Sequence, residues 1–542
     1  MFSSLSRFAT LSLLLLGTLP DRAFAEQVLK TSGFSSCLSN ATISVQRSAV
    51  EYNNDLKQVT FDLAGTSTKS TKVIADLVVK AYGNEVYRNS FNPCADSTFV
   101  QQLCPLPEGT FSAKGVQTIP AQYASMIPSI AFTVPDIAAE AKIQLRSLDS
   151  GEDIACITSN VSNGKTVNVP AVSYVAVGIA GAALVLTGAS ALGAAAAGGS
   201  VGGAGAVSPS FLEVIGWFQG MAINGMMSAN LPPVYRSFTK NFAFSTGLVP
   251  IASVQEGIDR FRGVTGGNLT ANSVAVLRNT TLIFQDGSNN TASKVKRAFM
   301  DAVLWTRDEL ATGVNETVTT QAAKEETMQK TVNGITAYAE QLMVPNSNIF
   351  MTVLLVAAIV IVAIVVGILL VKAILEGWAL FGNFPKSMMG FRKHYWMTMA
   401  RTIVNLVLVL YGVWVLYCIF QFTNGDSWAA QALAGVTLAL FTGVLAYFML
   451  MIFKTARELK KTDGDTSGLY DDKATWLKFS IFYDSYKKDT WWLFVPVILY
   501  MLAKGIILAG LNGKGMPQAI AQLCLEALSK FSTLHLPQYT FD

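Results

Sequence analysis

The chain has 542 residues, of which 51% are hydrophobic and 14% charged, with a mean hydropathy of +0.40. A soluble chain of this length needs more charge to cover its surface, so the apolar excess calls for lipid. The net charge of +4 is too small to argue for nucleic acid.

The N-terminus runs from Met1 to Arg7, then through the apolar stretch 11–16, then through Ala23-Phe24-Ala25 to Glu26. A basic n-region, a short apolar h-region and an A-x-A site predict a secretory signal peptide over residues 1–25. The apolar stretch is far shorter than the ~20 residues that cross a bilayer.

Residues 26–168 read as all-β and sandwich-like. Val59, Phe61 and Leu63 alternate with polar neighbours, as do Val73, Ala75, Leu77 and Val79, between clusters of turn residues. Cys37, Cys94, Cys104 and Cys156 all fall here, in the part sent to an oxidising lumen. They imply two disulfides, with three connectivities open. Cys94 and Cys104 bracket a short loop and can meet, which leaves Cys37 for Cys156. Cys418 and Cys524 read as packing residues.

From residue 169 the character changes. Residues 171–197 carry no charge and are rich in Ala, Gly, Val and Leu, long enough to span and small enough for close helix packing. A Gly-rich turn at 198–205 leads to a weaker candidate at 211–229, so 169–229 reads as a transmembrane hairpin. Residues 230–348 are polar. Apolar spans follow at about 349–371, 402–422, 428–453 and 491–511, and an incomplete helix begins at 516. Pro496 predicts a kink in the 491–511 span. The aromatic stretch 476–483 predicts a segment lying on the membrane surface.

Orientation rests on two patterns. Lys372, Lys386, Arg392, Lys393 and Arg401 mark one loop as cytosolic, and Lys454, Arg457, Lys460 and Lys461 mark another. Residues 230–348 are then luminal, with 211–229 as the returning half of the hairpin; the alternative is a single crossing, with 230–348 cytosolic and the charge bias broken. The sequons at Asn40, Asn160, Asn268, Asn279, Asn289 and Asn315 all lie upstream of Met351, and glycosylation is a luminal modification.

Catalytic equipment is scarce, so an enzyme is not expected. His394 and His535 have no metal-spaced neighbours, and no Gly-x-Ser-x-Gly, His-Glu-x-x-His or Walker pattern occurs. Lys504 is the transport-path candidate. A lysine inside a span costs about 2.5–3.5 kcal/mol at helix centre, so it faces a partner or wet cavity, or snorkels to the interface.

Several motifs resemble a known family. Phe34-Ser-Ser-Cys37, Asn92-Pro-Cys94, Leu103-Cys-Pro-Leu-Pro-Glu-Gly109, the stretch 127–136 and Asn163-Gly-Lys-Thr-Val167 are similar to the ML-like domain of fungal flavin-carrier proteins. Trp217-Phe-Gln219, Asn230-Leu-Pro-Pro233 and Gly263-Val-Thr-Gly-Gly267 resemble its connecting segment. Leu469-Tyr-Asp-Asp472, Phe482-Tyr483 and Gly513-Lys-Gly-Met516 resemble its TRP-like membrane region. The resemblance implies a secretory-pathway membrane protein, in the endoplasmic reticulum or further along to the Golgi or plasma membrane. It also implies FAD transport into the endoplasmic reticulum lumen and cell-wall maintenance. FAD would be the transported substrate rather than a bound prosthetic group, and no FAD-binding residue carries over. The alternatives it implies are a calcium-permeable channel and a non-conducting protein holding lipid in the luminal domain. The expected partners are membrane lipids, with a homo-oligomer left open. The family continues with further membrane helices, whereas 529–542 reads as an atypical tail, so a C-terminally truncated chain is expected.

Overall fold

The computed structural model describes residues 27–38, 41–95, 103–118, 127–196, 210–268, 271–284, 328–381, 389–484 and 486–534. The signal peptide expected at 1–25, Asn40, Asn289, Asn315 and residues 535–542 of the expected tail lie outside them. The chain divides into two units, Met1–Thr166 and Val167–Asp542.

The first unit is all-β. Its strands are β1 (Val28–Ser36), β2 (Ile43–Asn53), β3 (Gln58–Ser67), β4 (Val73–Ala81), β5 (Asn84–Phe91), β6 (Gly109–Thr118), β7 (Ala139–Ser147) and β8 (Asp153–Ser162), with a one-turn helix α1 (Ile130–Thr133). All pair antiparallel in one sheet of order β5-β4-β7-β8-β1-β2-β3-β6. The sequence pattern predicts a sandwich, and the sheet achieves the same burial by curling. Val73 of β4 and Phe111 and Ala113 of β6 share one buried cluster with Ile43, Leu106 and Ala155. At 4.7–4.9 Å per strand, a flat sheet would hold β4 and β6 roughly 29 Å apart. The closure is pinned by mutual hydrogen bonds between the backbones of Thr71 and Leu106, at 3.1 and 2.9 Å. The result is a half-barrel whose concave face is apolar. Away from the Leu106 end, Phe61, Leu63, Leu77, Val79 and Ile143 continue that face but are only half-buried.

In the second unit, α2 (Pro170–Ala196) is followed by α3 (Phe211–Gly225). The Ser173 hydroxyl donates to Asn241 Oδ1 at 3.4 Å, and Thr187 Oγ1 accepts the Phe211 amide at 3.1 Å. Helix α3 therefore starts beside the far part of α2 and runs back antiparallel to it. Its 15 residues reach about 22 Å. The long helices are α8 (Ile349–Phe381), α9 (Met389–Asn424), α10 (Trp428–Thr462) and α13 (Phe494–Gly510), with α14 (Gly515–Leu534) last. Among the described residues, five segments have the length and apolarity to cross a membrane: Pro170–Thr187, Asn346–Trp378, Met399–Asn424, Trp428–Thr462 and Lys488–Gly510.

Between α3 and α8 the polar part of the chain folds into small elements, here called the cap. These are α4 (Pro233–Lys240), α5 (Ala252–Val264), α6 (Ser273–Arg278), α7 (Gly334–Gln341), and the parallel pair β9 (Thr280–Phe284) and β10 (Met328–Val332). Aromatic rings fix the cap on α3, with Phe218 stacked on Phe242 at 5.2 Å. Inside it, the Tyr338 hydroxyl donates to Thr239 O at 2.8 Å.

At the opposite ends of the helices lie α11 (Gly468–Asp471) and α12 (Lys473–Tyr483). The aromatics of α12 pack on protein: Phe482 lies 5.4 Å from Phe448 and 5.7 Å from Phe494. The Tyr483 hydroxyl donates to Leu469 O at 2.7 Å. The kink expected at Pro496 is not where the sequence puts it. Thr490 leaves helical geometry in the short 3-10 segment Lys488–Leu493, and α13 begins at Phe494. Pro496 thus sits in the first turn, where no intrahelical partner exists for its missing N–H.

Candidate functional site

Lys504 meets its partners on the face of α13 that turns toward α14. Its neighbour Gly505 fixes that orientation: a Cβ there would lie 2.9 Å from Val415 Cγ1 and 3.0 Å from the Leu416 amide nitrogen. Only glycine allows α13 to press so closely on α9. One step round the helix, Lys504 Nζ donates to Tyr500 Oη at 3.0 Å and to Glu526 Oε1 at 3.4 Å. The Tyr500 hydroxyl itself donates to Glu526.

The geometry of α14 follows from its sequence. Gln518, Gln522 and Glu526 are spaced four apart, so they share one face. Gln518 Nε2 donates to Leu508 O at 2.8 Å, and Gln522 Nε2 to Lys504 O at 3.5 Å. Tyr500 lies ten residues before the end of α13, about 15 Å along the axis and half of a ~30 Å hydrocarbon core. The arrangement brings a cation, a carboxylate and a phenol together between α13, which lies in one of the five candidate spans, and α14.

A second polar assembly lies where the cap meets the helix ends. Arg262, in α5, is 1% exposed. Its guanidinium reaches Asp426 at 3.1 and 2.5 Å, Asn348 Oδ1 at 2.8 Å, Asn268 O at 2.7 Å and Asp259 at 3.5 Å. Asp426 sits in the turn between α9 and α10. Burial pushes its carboxyl up, but the Arg262 guanidinium and the Asn268 amide outweigh burial and hold it below the ordinary aspartate value. Beside it, the Thr265 and Ser427 hydroxyls bond at 2.6 Å. Gln255 Nε2 donates to Thr352 Oγ1 on α8 at 2.9 Å, and Tyr417 of α9 donates to Thr246 Oγ1 at 3.1 Å.

The turn between α13 and α14 is held in the same way. The Gly513 amide donates to Ser228 Oγ at 2.9 Å, the Ile335 amide to Asn512 Oδ1 at 3.1 Å, and the Ser228 amide to Gln518 Oε1 at 2.7 Å. Gly334 has φ +50, and a Cβ on it would collide with Asn512 Oδ1 and Ser228 Oγ. The cap therefore fastens the starts of α8, α10 and α14 and the ends of α9 and α13.

The remaining sequence candidates fall elsewhere. Cys37, directly after β1, is bonded to Cys156 of the neighbouring β8, with Cα atoms 5.1 Å apart; Cys94 and Cys104 are bonded with Cα atoms 5.2 Å apart. Asn160, Asn268 and Asn279 are exposed. Lys372 and Glu376 pair at 3.7 Å. Among the described residues, no group of three or more His, Cys, Asp or Glu side chains could hold a metal ion. Sequence reasoning missed Glu526, although the Gln518–Gln522–Glu526 spacing signals it. It also missed the Arg262–Asp426 pair, which has no local signature across 164 residues.

A family model described as "Transient receptor potential (TRP) ion channel" matches residues 172–539, and one described as "ML-like domain" matches 29–167. Flavin carrier protein 2 of Saccharomyces cerevisiae is 24% identical over 508 residues, covering 92% of this chain and 63% of that protein. The TRP-like ion channel protein flc1 of Cryptococcus neoformans var. grubii is 26% identical over 520 residues, covering 92% and 66%. TRP-like ion channel pkd2 of Schizosaccharomyces pombe is 26% identical over 249 residues, covering 44% and 33%. The chain thus spans less than two thirds of the length of each of these relatives. Among solved structures, chicken MD-1 complexed with lipid IVa matches 26% of this chain and 92% of its own, at 16% identity and a TM-score of 0.18, too low to bear on the fold. These relatives are carriers and channels rather than enzymes, and the disulfide-bonded ML-like domain ahead of membrane helices is that of a secretory-pathway membrane protein. The chain belongs to the TRP ion channel family, in the form that carries an ML-like domain before its membrane helices.

Proposed function

We propose that this protein is a transporter of flavin-carrier type, moving FAD into the lumen of the endoplasmic reticulum along a path bordered by α13 and α14. The observation that carries the reading is the Lys504–Tyr500–Glu526 cluster at membrane depth, since FAD is an anion and needs a cation on its way. The name of the Saccharomyces cerevisiae relative supports the substrate. Ion conduction is the second reading, favoured by the ion-channel names of two relatives, with calcium the ion that the family resemblance implies. The test is uptake into microsomes from cells that make the protein, compared with cells that do not. FAD should accumulate faster in the first, with calcium flux equal in both. A calcium difference without an FAD difference reverses the order of the two readings, and equal fluxes of both defeat transport by this chain.

In this reading the β unit and the cap are luminal. The fastening of helix ends on one side by the cap supports that topology, because the two basic loops lie at the other ends of the same helices. With Asn40 and Asn160 replaced by Gln, endoglycosidase should still lower the apparent mass, through glycans on the cap sequons. No shift would count against a luminal cap. The half-buried apolar concave face of the half-barrel supports a bound lipid there.

A further inference from the structure

We infer that Lys504 and Glu526 form an exchangeable ion pair, in which a phosphate-bearing anion displaces the Glu526 carboxylate from Lys504. The inference rests on the transport reading and names the chemistry of its site. A lysine at this depth needs a counter-charge, and among the described residues Glu526 is the only carboxylate paired with it. The pairing is loose. One Nζ–Oε1 contact of 3.4 Å joins the two, and their side chains are 23% and 45% exposed, so the protein itself does not enclose the pair.

Tyr500 makes the exchange inexpensive for Glu526. Its hydroxyl already donates to that carboxylate, so Glu526 keeps a charge-assisted hydrogen bond when Lys504 turns away. Lys504 likewise keeps the Tyr500 oxygen within 3.0 Å while it changes partner. The resident carboxylate competes with the incoming anion and sets its affinity. A diphosphate such as that of FAD is one member of the ligand class; a lipid phosphate is another.

The test uses the full chain in nanodiscs of zwitterionic lipid, with inorganic pyrophosphate titrated by calorimetry. Glu526→Gln, which removes the competitor, should tighten binding about tenfold, equivalent to about 1.4 kcal/mol. Lys504→Gln should abolish binding, and Lys504→Arg, which keeps the charge, should retain it and controls for folding. Doping the nanodiscs with phosphatidic acid should leave pyrophosphate binding unchanged if the occupant is a soluble anion, and should weaken it if a headgroup takes the site. Unchanged affinity in Glu526→Gln, or no pyrophosphate binding in any form, overturns the inference. Microsomal FAD uptake separates the two proposals. Uptake with binding indifferent to residues 504 and 526 defeats the exchange alone; Glu526-sensitive binding without uptake defeats the FAD reading alone.

Discussion

Arg262→Ala should destabilise the helical unit by about 3–5 kcal/mol, the cost of breaking a buried ion pair by removing one partner. The loss is large because one guanidinium serves Asp426, Asp259, Asn348 and the Asn268 carbonyl at once. Its removal leaves the Asp259 and Asp426 carboxylates without the cation they share. Arg262→Lys should recover only part, since an ammonium cannot fork across Asp426 while reaching Asn348. The measurement is the thermal unfolding midpoint of the full chain in detergent, and an Arg262→Ala midpoint equal to wild type would show that the network contributes nothing.

The same pair sets an acid limit. The Asp426 carboxyl is held below its ordinary value in the folded protein, so its contribution is complete above the unfolded-state pKa of about 3.9. It is lost as pH falls through the lower folded value. The Arg262–Asp426 contact therefore stays intact at neutral and mildly acidic pH. Asp426→Asn should be less stable than wild type there, with the difference closing only below about pH 4.

The second large effect concerns the β unit. Cys37 and Cys156 are separated by 119 residues, and Cys94 and Cys104 by 10. On the chain-entropy account, opening the long loop costs about 5 kcal/mol and the short one about 3 kcal/mol. Replacing Cys37 and Cys156 together by Ala should loosen the whole sheet, because β1 and β8 lie at its centre. Replacing Cys94 and Cys104 should be milder. No tryptophan lies in this unit, so hydrogen exchange by mass spectrometry on peptides from β2 and β8 is the suitable readout. Equal loss of protection in the two double variants would reject the loop-length argument.

What the sequence makes legible here follows from the range of each interaction. Period-2 alternation around Val59–Phe61–Leu63 reports a half-buried strand, and long apolar runs report membrane helices, since both patterns are local. The curl of the sheet is not local. It depends on Val73 meeting Phe111, and the ladder order that brings them together is invisible to periodicity. Pro496 misleads for a related reason: a proline inside an apolar run implies a kink only if the helix has already begun, and α13 begins two residues earlier. Lys504 is conspicuous because a charge interrupts an apolar stretch. Glu526 is not, because α14 is polar enough to hide it among Gln518, Gln522 and Lys530. Arg262 looks like an ordinary surface arginine until the cap folds over the α9–α10 turn.

One mechanical result follows from the cap's hold on five helix ends. A rod pinned at one end moves most at the other. Helix α10 has 35 residues and is about 52 Å long. A tilt of about 5° about its capped end therefore carries the Lys460–Lys461 end sideways by roughly 4–5 Å, while Asp426 scarcely moves. Any rearrangement of these helices that leaves the cap intact is thus a fanning of their free ends. The elements lodged there, α11 and α12, are the parts of the unit that such a motion would displace furthest.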